Sequence, residues 1–340
     1  MSKHQAILQA DAASVFEPIK EIAEQNGFTV NRSDTRMVDD APLGLVVLEQ
    51  RGDQTTVAFD APSKAELQML KELYAQRFAK LGFADGIIWS APKAAAPLNQ
   101  VVCEISDCTQ ISPNFARVRL AGDFTAFATK TAGLHFRFLF GPEGTAWPTL
   151  DANGLTYWPD GVSSWHRPPY TVRRLAPDAS WIDVDIVLHD GGRVTEWCKR
   201  VKPGDEIALT GPSGSKMPTE NKLALFGDET ALPIIFRIVE DAPPDVSGYA
   251  TIAVRNLKDS QSISASPQFD IRWIDMTDPD ALVRGLHKSL HTRPDHSVFF
   301  AAERTQADTV RKLLKDAERA SRNDRVASYW TKAPKVTKAS

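Results

Sequence analysis

His166-Arg167-Pro168-Pro169-Tyr170-Thr171-Val172-Arg173-Arg174 and, further on, His189-Asp190-Gly191-Gly192-Arg193-Val194-Thr195-Glu196-Trp197 are the two stretches on which the fold turns. The first is a strand-like run with arginines on both sides of a Tyr-Thr pair. The second is a Gly-rich turn opening onto a helix. Together they have the chemistry to hold a flavin and its pyrophosphate. Tyr170 can border an isoalloxazine ring and Thr171 can hydrogen-bond the ring edge or ribityl chain. Arg167 or Arg173 can pair with phosphate in fork geometry. Gly192 lets backbone approach a phosphate, Thr195 supplies a first-turn hydroxyl, and N–H groups exposed at a helix start favour an anion. A strand with solvated arginines and a core tyrosine, followed by a plain Gly-Gly turn, fits the same letters.

A third stretch, Gly227-Asp228-Glu229-Thr230-Ala231-Leu232-Pro233, follows an apolar run and precedes a helical pattern. It lacks the spaced glycines of the dinucleotide fingerprint, and its two acids would repel a phosphate beside them. It fits a nicotinamide-facing loop and a simple strand-to-helix turn equally. Arg255, Asn256 and Lys258 follow the next strand, where an adenosine ribose commonly rests. Cations there suit a 2′-phosphate, which points to NADPH over NADH; a solvated loop is the other reading.

Around these stretches the hydrophobic period changes twice. Residues 1–88 read as a small α+β domain: a strand from His4 to Leu8, a helix from Ala12 to the stop at Asn26-Gly27, a hairpin of Gly44 to Gln50 with Thr55 to Phe59, and a helix from Ser63 to Leu81. No nucleophile, phosphate loop or metal spacing marks it, so a docking or accessory role is expected. Ser90-Ala91-Pro92-Lys93-Ala94-Ala95-Ala96-Pro97 reads as a linker. Residues 98–217 carry short strands, namely Val101 to Ile105, Ala116 to Ala121, His135 to Phe140, Tyr170 to Arg174, Trp181 to Leu188 and Glu206 to Thr210, with one helix near the end. That pattern suggests an antiparallel β-barrel, and Trp181 to Leu188 alternates as a half-buried strand does. Residues 220–340 alternate strand and helix, from Lys222 to Phe226, Thr230 to Asp241, Tyr249 to Val254, Ser297 to Ala302 and Thr305 to Ala320, which implies an α/β parallel sheet.

Composition limits the function classes. The 340 residues, 42% hydrophobic and 24% charged, form an ordinary globular chain. A net charge of −3 argues against bulk nucleic-acid binding. No apolar run reaches the roughly eighteen residues of a membrane span, and Met1 to Gln5 opens no secretory signal, so cytoplasm is expected. Cys103, Cys108 and Cys198 make no disulfide framework and are too few for an iron–sulfur cluster. No His/Cys spacing suggests a bound metal.

Taken together, residues 98–331 resemble the siderophore-interacting protein family, a branch of the ferredoxin-reductase-like flavoenzymes. The resemblance rests on Tyr170-Thr171-Val172-Arg173, on Val187-Leu188-His189 with Gly192 through Trp197, and on Pro203-Gly204-Asp205 and Gly211-Pro212-Ser213-Gly214. Gly227 through Pro233, Ala302-Glu303 and Tyr329-Trp330 complete it. It implies non-covalent FAD, NADPH or NADH as donor, and a ferric siderophore as substrate. Hydride would pass from nicotinamide C4 to flavin N5, and the flavin would release electrons singly to Fe(III). The implied cofactor-binding set adds Val172, His189, Val194, Trp197, Asp228, Glu229, Thr230, Ala231, Glu303 and Trp330 to Arg167, Tyr170, Thr171, Arg173, Gly192, Thr195 and Arg255. No side-chain acid or base is required. Two positions depart from the family: Pro168 stands where an arginine is usual, leaving the phosphate to Arg167, Arg173 or Arg174, and Ala302 stands where glycine is usual. Lys258, Arg304, Arg325 and Lys332 are open candidates for siderophore contact. A flavin reductase for ferredoxin or a quinone, and a non-catalytic siderophore binder, remain the rival readings; the oligomeric state is not legible.

Overall fold

The computed structural model describes residues 2–25, 30–90, 94–129, 132–263, 268–319 and 323–332. The Asn26-Gly27 stop, Ala91-Pro92-Lys93 of the linker and Ala320 lie outside the described residues. The chain divides into two compact units. One is Met1–Cys103, Phe136–Pro169 and Ile207–Ser213; the other is Glu104–His135, Tyr170–Glu206 and Gly214–Ser340.

The N-terminal elements are β1 (Ser2–Leu8), α1 (Ala12–Gln25), β2 (Val30–Arg32), β3 (Arg36–Ala41), β4 (Gly44–Arg51), β5 (Gln54–Ala61), α2 (Lys64–Lys80) and β6 (Ile87–Trp89). The strands form an antiparallel sheet in the order β2-β3-β4-β5-β1-β6. Three of them, β2, β3 and β6, were not expected: β2 and β6 are too short to show a period, and β3 carries Asp39-Asp40. The β4–β5 turn is Gly52-Asp53; Gly52 sits at φ +67°, and the space beside it is open, so backbone conformation alone calls for glycine there. Ser63 caps α2 by accepting from the Glu66 amide at 3.1 Å. Phe16, Ile19, Phe59, Leu70, Tyr74 and Phe78 close the core.

The middle of the chain gives β7 (Gln100–Ser112), β8 (Phe115–Ala121), β9 (His135–Leu139), β10 (Thr149–Leu150), β11 (Thr156–Tyr157), β12 (Pro169–Thr171), β13 (Arg174–Leu175), β14 (Trp181–Val187), α3 (Arg193–Cys198) and β15 (Glu206–Ser213). Seven of these strands form one sheet, β12-β9-β15-β7-β8-β14-β13, while β10 and β11 pair with each other. The strand expected over residues 170–174 is broken. Val172 donates its amide to Leu134 and Arg173 donates to Asp183, so the chain changes partners between them. Nor is β14 half-buried. Five of its seven residues are buried, because Asp183 and Asp185 stand opposite Arg119 and Arg117 in register and each carboxylate takes two guanidinium bonds of 2.7–2.9 Å. Alternation is present, but the polar phase is paired rather than solvated.

The last part holds β16 (Lys222–Asp228), α4 (Leu232–Glu240), β17 (Ser247–Val254), β18 (Phe269–Asp275), α5 (Ala281–Thr292), β19 (Ser297–Glu303), α6 (Arg304–Asp316) and β20 (Arg325–Trp330). All five strands are parallel, in the order β18-β17-β16-β19-β20. Leu232, Ile235, Phe236 and Val239 of α4 pack in one core cluster. Leu286 of α5 and Val310 and Leu314 of α6 pack in another with Phe226 and Phe300. Gly227 closes β16 where a Cβ would lie 2.6 Å from Ala231 Cβ and 3.1 Å from the Ala301 carbonyl oxygen. Close approach of the following turn is what requires glycine.

Candidate functional site

The Tyr-Thr strand is held by its surroundings. Thr171 and Val172 are buried and Tyr170 is half-buried. The Val172 carbonyl accepts from Arg237 Nη1 at 2.8 Å. Burial, with Cys198 nearby, raises the Tyr170 phenol, so it stays protonated at neutral pH.

Arg173 does not offer its charge to a ligand. It is 2% exposed, bonds Glu240 at 2.5 and 2.9 Å, stands 3.6 Å from Asp185 and lies over the Phe236 ring. The expected phosphate role is therefore reassigned to anchoring α4. Arg174 is exposed, 3.4 Å from Glu240. Arg167, in the other compact unit, is half-buried with its guanidinium 4.7 Å from the Trp158 ring centre. No ion pair engages it among the described residues.

The turn before α3 is tightly built. Gly191 takes φ +73°. A Cβ on Gly192 would meet His189 Cε1 at 2.6 Å and Thr195 Oγ1 at 2.9 Å. Thr195 does not cap its own helix: its hydroxyl accepts the His189 amide at 3.0 Å and so ties the turn shut. Gly192 is the N-cap and no side chain caps the helix, which leaves the first N–H groups without intrahelical acceptors. Val194 is buried and Trp197 half-buried behind them, while His189 is exposed.

The acids of the Gly227 stretch are neutralised locally. Asp228, 1% exposed, accepts from the Thr230 amide and hydroxyl at 2.9 and 2.6 Å and from Trp330 Nε1 at 2.7 Å. Burial raises its carboxyl above the ordinary range. Glu229 pairs with Arg255 Nε at 2.6 Å, and Arg255 Nη2 also reaches the Leu188 carbonyl at 3.0 Å. The expected ribose-facing cation is thus a brace between the Glu229 turn, the end of β17 and the residue before His189. Lys258 is exposed, with no ion pair among the described residues. Ala231 is fully buried.

Glu303 caps α6 through the Thr305 amide at 2.6 Å and accepts the Lys332 amide at 3.2 Å. The Ala302 methyl is buried among α5 and α6 residues, so it packs into that core. Arg325 donates to the Lys216 carbonyl at 2.6 Å.

Sequence reasoning missed Asp259. This fully buried carboxylate, just past β17, accepts from Ser112 Oγ, the Asn114 amide and Asn114 Nδ2 at 2.7–2.9 Å. It ties the end of β17 to the β7–β8 turn. An isolated Asp in a polar loop gives no sequence signal for such a role.

Known proteins share these pieces. Residues 104–216 match the model of the siderophore-interacting FAD-binding domain, and residues 220–333 match that of the siderophore-interacting protein. The chain belongs to the siderophore-interacting protein family. Ferric vibriobactin reductase ViuB of Vibrio cholerae is 28% identical over 236 residues, 65% of this chain and 85% of that protein. The NADPH-dependent ferric-chelate reductase of Escherichia coli is 26% identical over 235 residues, 65% and 89% of the two chains. A siderophore utilization protein from T. fusca superposes with a TM-score of 0.56 at 25% identity, covering 69% of this chain and 94% of that one. As a member of the siderophore-interacting protein family the chain has a ferredoxin-reductase-like fold, an antiparallel FAD-binding sheet followed by a five-stranded parallel sheet.

Proposed function

We propose that this chain is an FAD-dependent, NAD(P)H-driven ferric-siderophore reductase that releases Fe(II) in the cytoplasm. In this reading residues 1–88 are an accessory domain, 98–217 a flavin-holding β-barrel and 220–340 the nicotinamide-holding domain. The match of residues 104–216 to the siderophore-interacting FAD-binding domain carries the proposal. The tight turn before α3, where Gly192 is hemmed in by His189 and Thr195, lies within that match. The Vibrio cholerae and Escherichia coli relatives, both named as ferric reductases, support the same reaction.

When bound, FAD couples a two-electron nicotinamide donor to a one-electron Fe(III) acceptor, and hard oxygen donors hold the resulting Fe(II) less well. The chain's own residues bind and orient. Tyr170 and Thr171 present a neutral phenol and a hydroxyl along the strand that borders the flavin. Trp330 is pinned by Asp228, and Arg255 by Glu229, so that the Gly227 turn faces the nicotinamide with its acids already paired. Among the described residues, no cluster of His, Cys, Asp or Glu is placed to hold a metal ion, and no helix is long and apolar enough to cross a membrane. Iron enters as substrate.

The test is the absorption spectrum of the purified protein before and after NADPH, followed by ferric siderophore with a ferrous-specific chelator. A colourless protein that binds no FAD would falsify the reading. Within it, Gly192→Val should weaken FAD binding about tenfold or more, since overpacking costs roughly 1–3 kcal/mol and falls at the phosphate turn. Thr195→Ala loses one hydrogen bond, worth about 1 kcal/mol, and should do less. Flavin fluorescence titration of both variants checks the order.

Donor choice falls to Lys258, now that Arg255 is paired. A charge-assisted bond to a 2′-phosphate is worth roughly 1.5–3 kcal/mol, so NADPH should reduce the flavin at about tenfold lower concentration than NADH. Lys258→Glu should erase that advantage in stopped-flow bleaching, whereas an unchanged ratio would move the ribose site elsewhere.

A further inference from the structure

Of the three cysteines, one is sealed in the core and two meet. Cys103 is 4% exposed and donates to the Ile207 carbonyl at 3.2 Å, and burial pushes its thiol up to about 12. A thiol so placed is inert. Cys108 of β7 and Cys198, the last residue of α3, are both half-buried free thiols. They stand 90 residues apart in the chain, yet Cys108 Sγ donates to the Cys198 carbonyl at 3.6 Å. Both belong to the same compact unit. Two thiols so far apart in sequence are thus held side by side by the fold.

The pair is also polarised. A hydrogen bond with the Cys198 thiol holds Cys108 below the ordinary thiol value, against burial and the Asp107 charge. The same bond, and then burial, raise Cys198. Cys108 is therefore the better nucleophile, while Cys198 keeps its proton until an oxidised partner can take its sulfur. That is the division between an attacking and a resolving thiol. Metal binding does not compete for them: among the described residues no cluster of His, Cys, Asp or Glu is placed to hold a metal ion. The helix that Cys198 closes is six residues long, and its Thr195 ties the His189 turn. Fixing Cys198 therefore fixes the end of a short element.

We propose that Cys108 and Cys198 are a peroxide-responsive dithiol, a modification site at which an intramolecular disulfide staples the end of α3 to β7. The Cys108 thiolate attacks a peroxide oxygen: an S–O bond forms, the O–O bond breaks, and the leaving oxyanion takes up a proton. The Cys198 thiol then condenses with the sulfenic acid: the S–S bond forms, the S–O bond breaks, and the oxygen departs as water with the Cys198 proton. The two sulfurs together lose two electrons and the peroxide gains them. A dithiol reductant reverses the change. In a reducing compartment such a bond is transient rather than structural. No step uses flavin or nicotinamide, so the proposal stands or falls apart from the reductase reading.

The experiment treats the reduced full-length protein with hydrogen peroxide, alkylates the remaining thiols in denaturant and maps the peptides by mass spectrometry. The expected result is a Cys108–Cys198 crosslink within one chain, with Cys103 recovered as an alkylated free thiol and the crosslink undone by dithiothreitol. Cys198→Ser should leave Cys108 as a sulfenic acid that dimedone traps. Cys108→Ser should leave Cys198 reduced, and Cys103→Ser should crosslink as wild type does. Oxidised wild type should also unfold at a higher urea concentration than reduced, because the bond closes a loop across the 90 residues that separate the pair. Cys198→Ser should show no such shift. Alanine replaces serine where a serine variant does not fold. A folded wild type that keeps both thiols, crosslinks only between chains or draws in Cys103 overturns the proposal. A crosslink that leaves the urea midpoint in place overturns the stapling of α3.

Discussion

Arg173→Met should destabilise the protein by about 3–5 kcal/mol, the usual cost of breaking a buried ion pair from one side. Arg173 is among the largest fully buried side chains, and its charge is shared by Glu240 at 2.5 and 2.9 Å and Asp185 at 3.6 Å. Methionine keeps much of the packing on Phe236 but leaves Glu240 with only Arg174, which is exposed. The carboxylate then either stays charged in a half-buried place or takes a proton. The double variant Arg173→Met/Glu240→Gln should recover a substantial part of the loss, because neither charge is stranded. Urea unfolding of the single and double variants measures this. A single variant within about 1 kcal/mol of wild type, the scale of an exposed pair, would show that the burial does not govern the interaction. FAD affinity in the folded fraction should change little, which separates a structural arginine from a phosphate-binding one.

That contrast shows where the sequence speaks and where it stops. The strand carrying Tyr170, the turn at Gly192 and the parallel sheet opened by Gly227 are legible because turn glycines and hydrophobic periods are local signals. The roles of Arg173 and Arg255 are not, because both sit next to motif residues and only the fold shows that Glu240 and Glu229 occupy their guanidiniums. The Arg117-Val118-Arg119 and Asp183-Val184-Asp185 runs form a cross-strand ladder that a sequence can carry, since two alternating charge patterns of opposite sign pair in register. Strands β18 and β20 escape for a different reason. Ile271, Trp273 and Ile274 of β18 are interleaved with Asp270, Arg272 and Asp275, and β20 carries Arg325 and Ser328. Edge strands of a parallel sheet are covered less completely, so they lose the continuous apolar run that marks its centre. The β10–β11 hairpin, with two residues to a strand, is held by Gly154 and Thr156 against α2. No period can announce a contact made so far along the chain.

Acid should unfold this protein through His135. The imidazole begins β9, with Nε2 2.8 Å from the Tyr329 hydroxyl and a T-shaped contact between the two rings. Burial, reinforced by the nearby Arg237 charge, lowers it from 6.5 to about 4. The unfolded chain therefore binds the proton first as pH falls. Stability from this group is fully present above about pH 6.5 and is lost progressively down to about pH 4, where the folded form also protonates. At about 1.4 kcal/mol per pH unit, the loss across that window is on the order of 3 kcal/mol. Glu240 adds a smaller loss of the same sign, since its arginine partners depress its carboxyl despite partial burial. His135→Gln keeps a hydrogen-bonding group for Tyr329 but cannot titrate. Urea unfolding at pH 7 and pH 4.5 should show a markedly smaller drop in the variant than in wild type. The variant itself should be less stable at pH 7, because Gln fills the site beside Tyr329 less well. Equal drops in both proteins would mean that carboxylates, not this histidine, set the acid limit. Tyr329 adjoins Trp330, whose indole is bonded to Asp228, so protonating His135 loosens the strand that carries that side chain. Flavin release on acidification should accordingly begin at a higher pH in wild type than in His135→Gln.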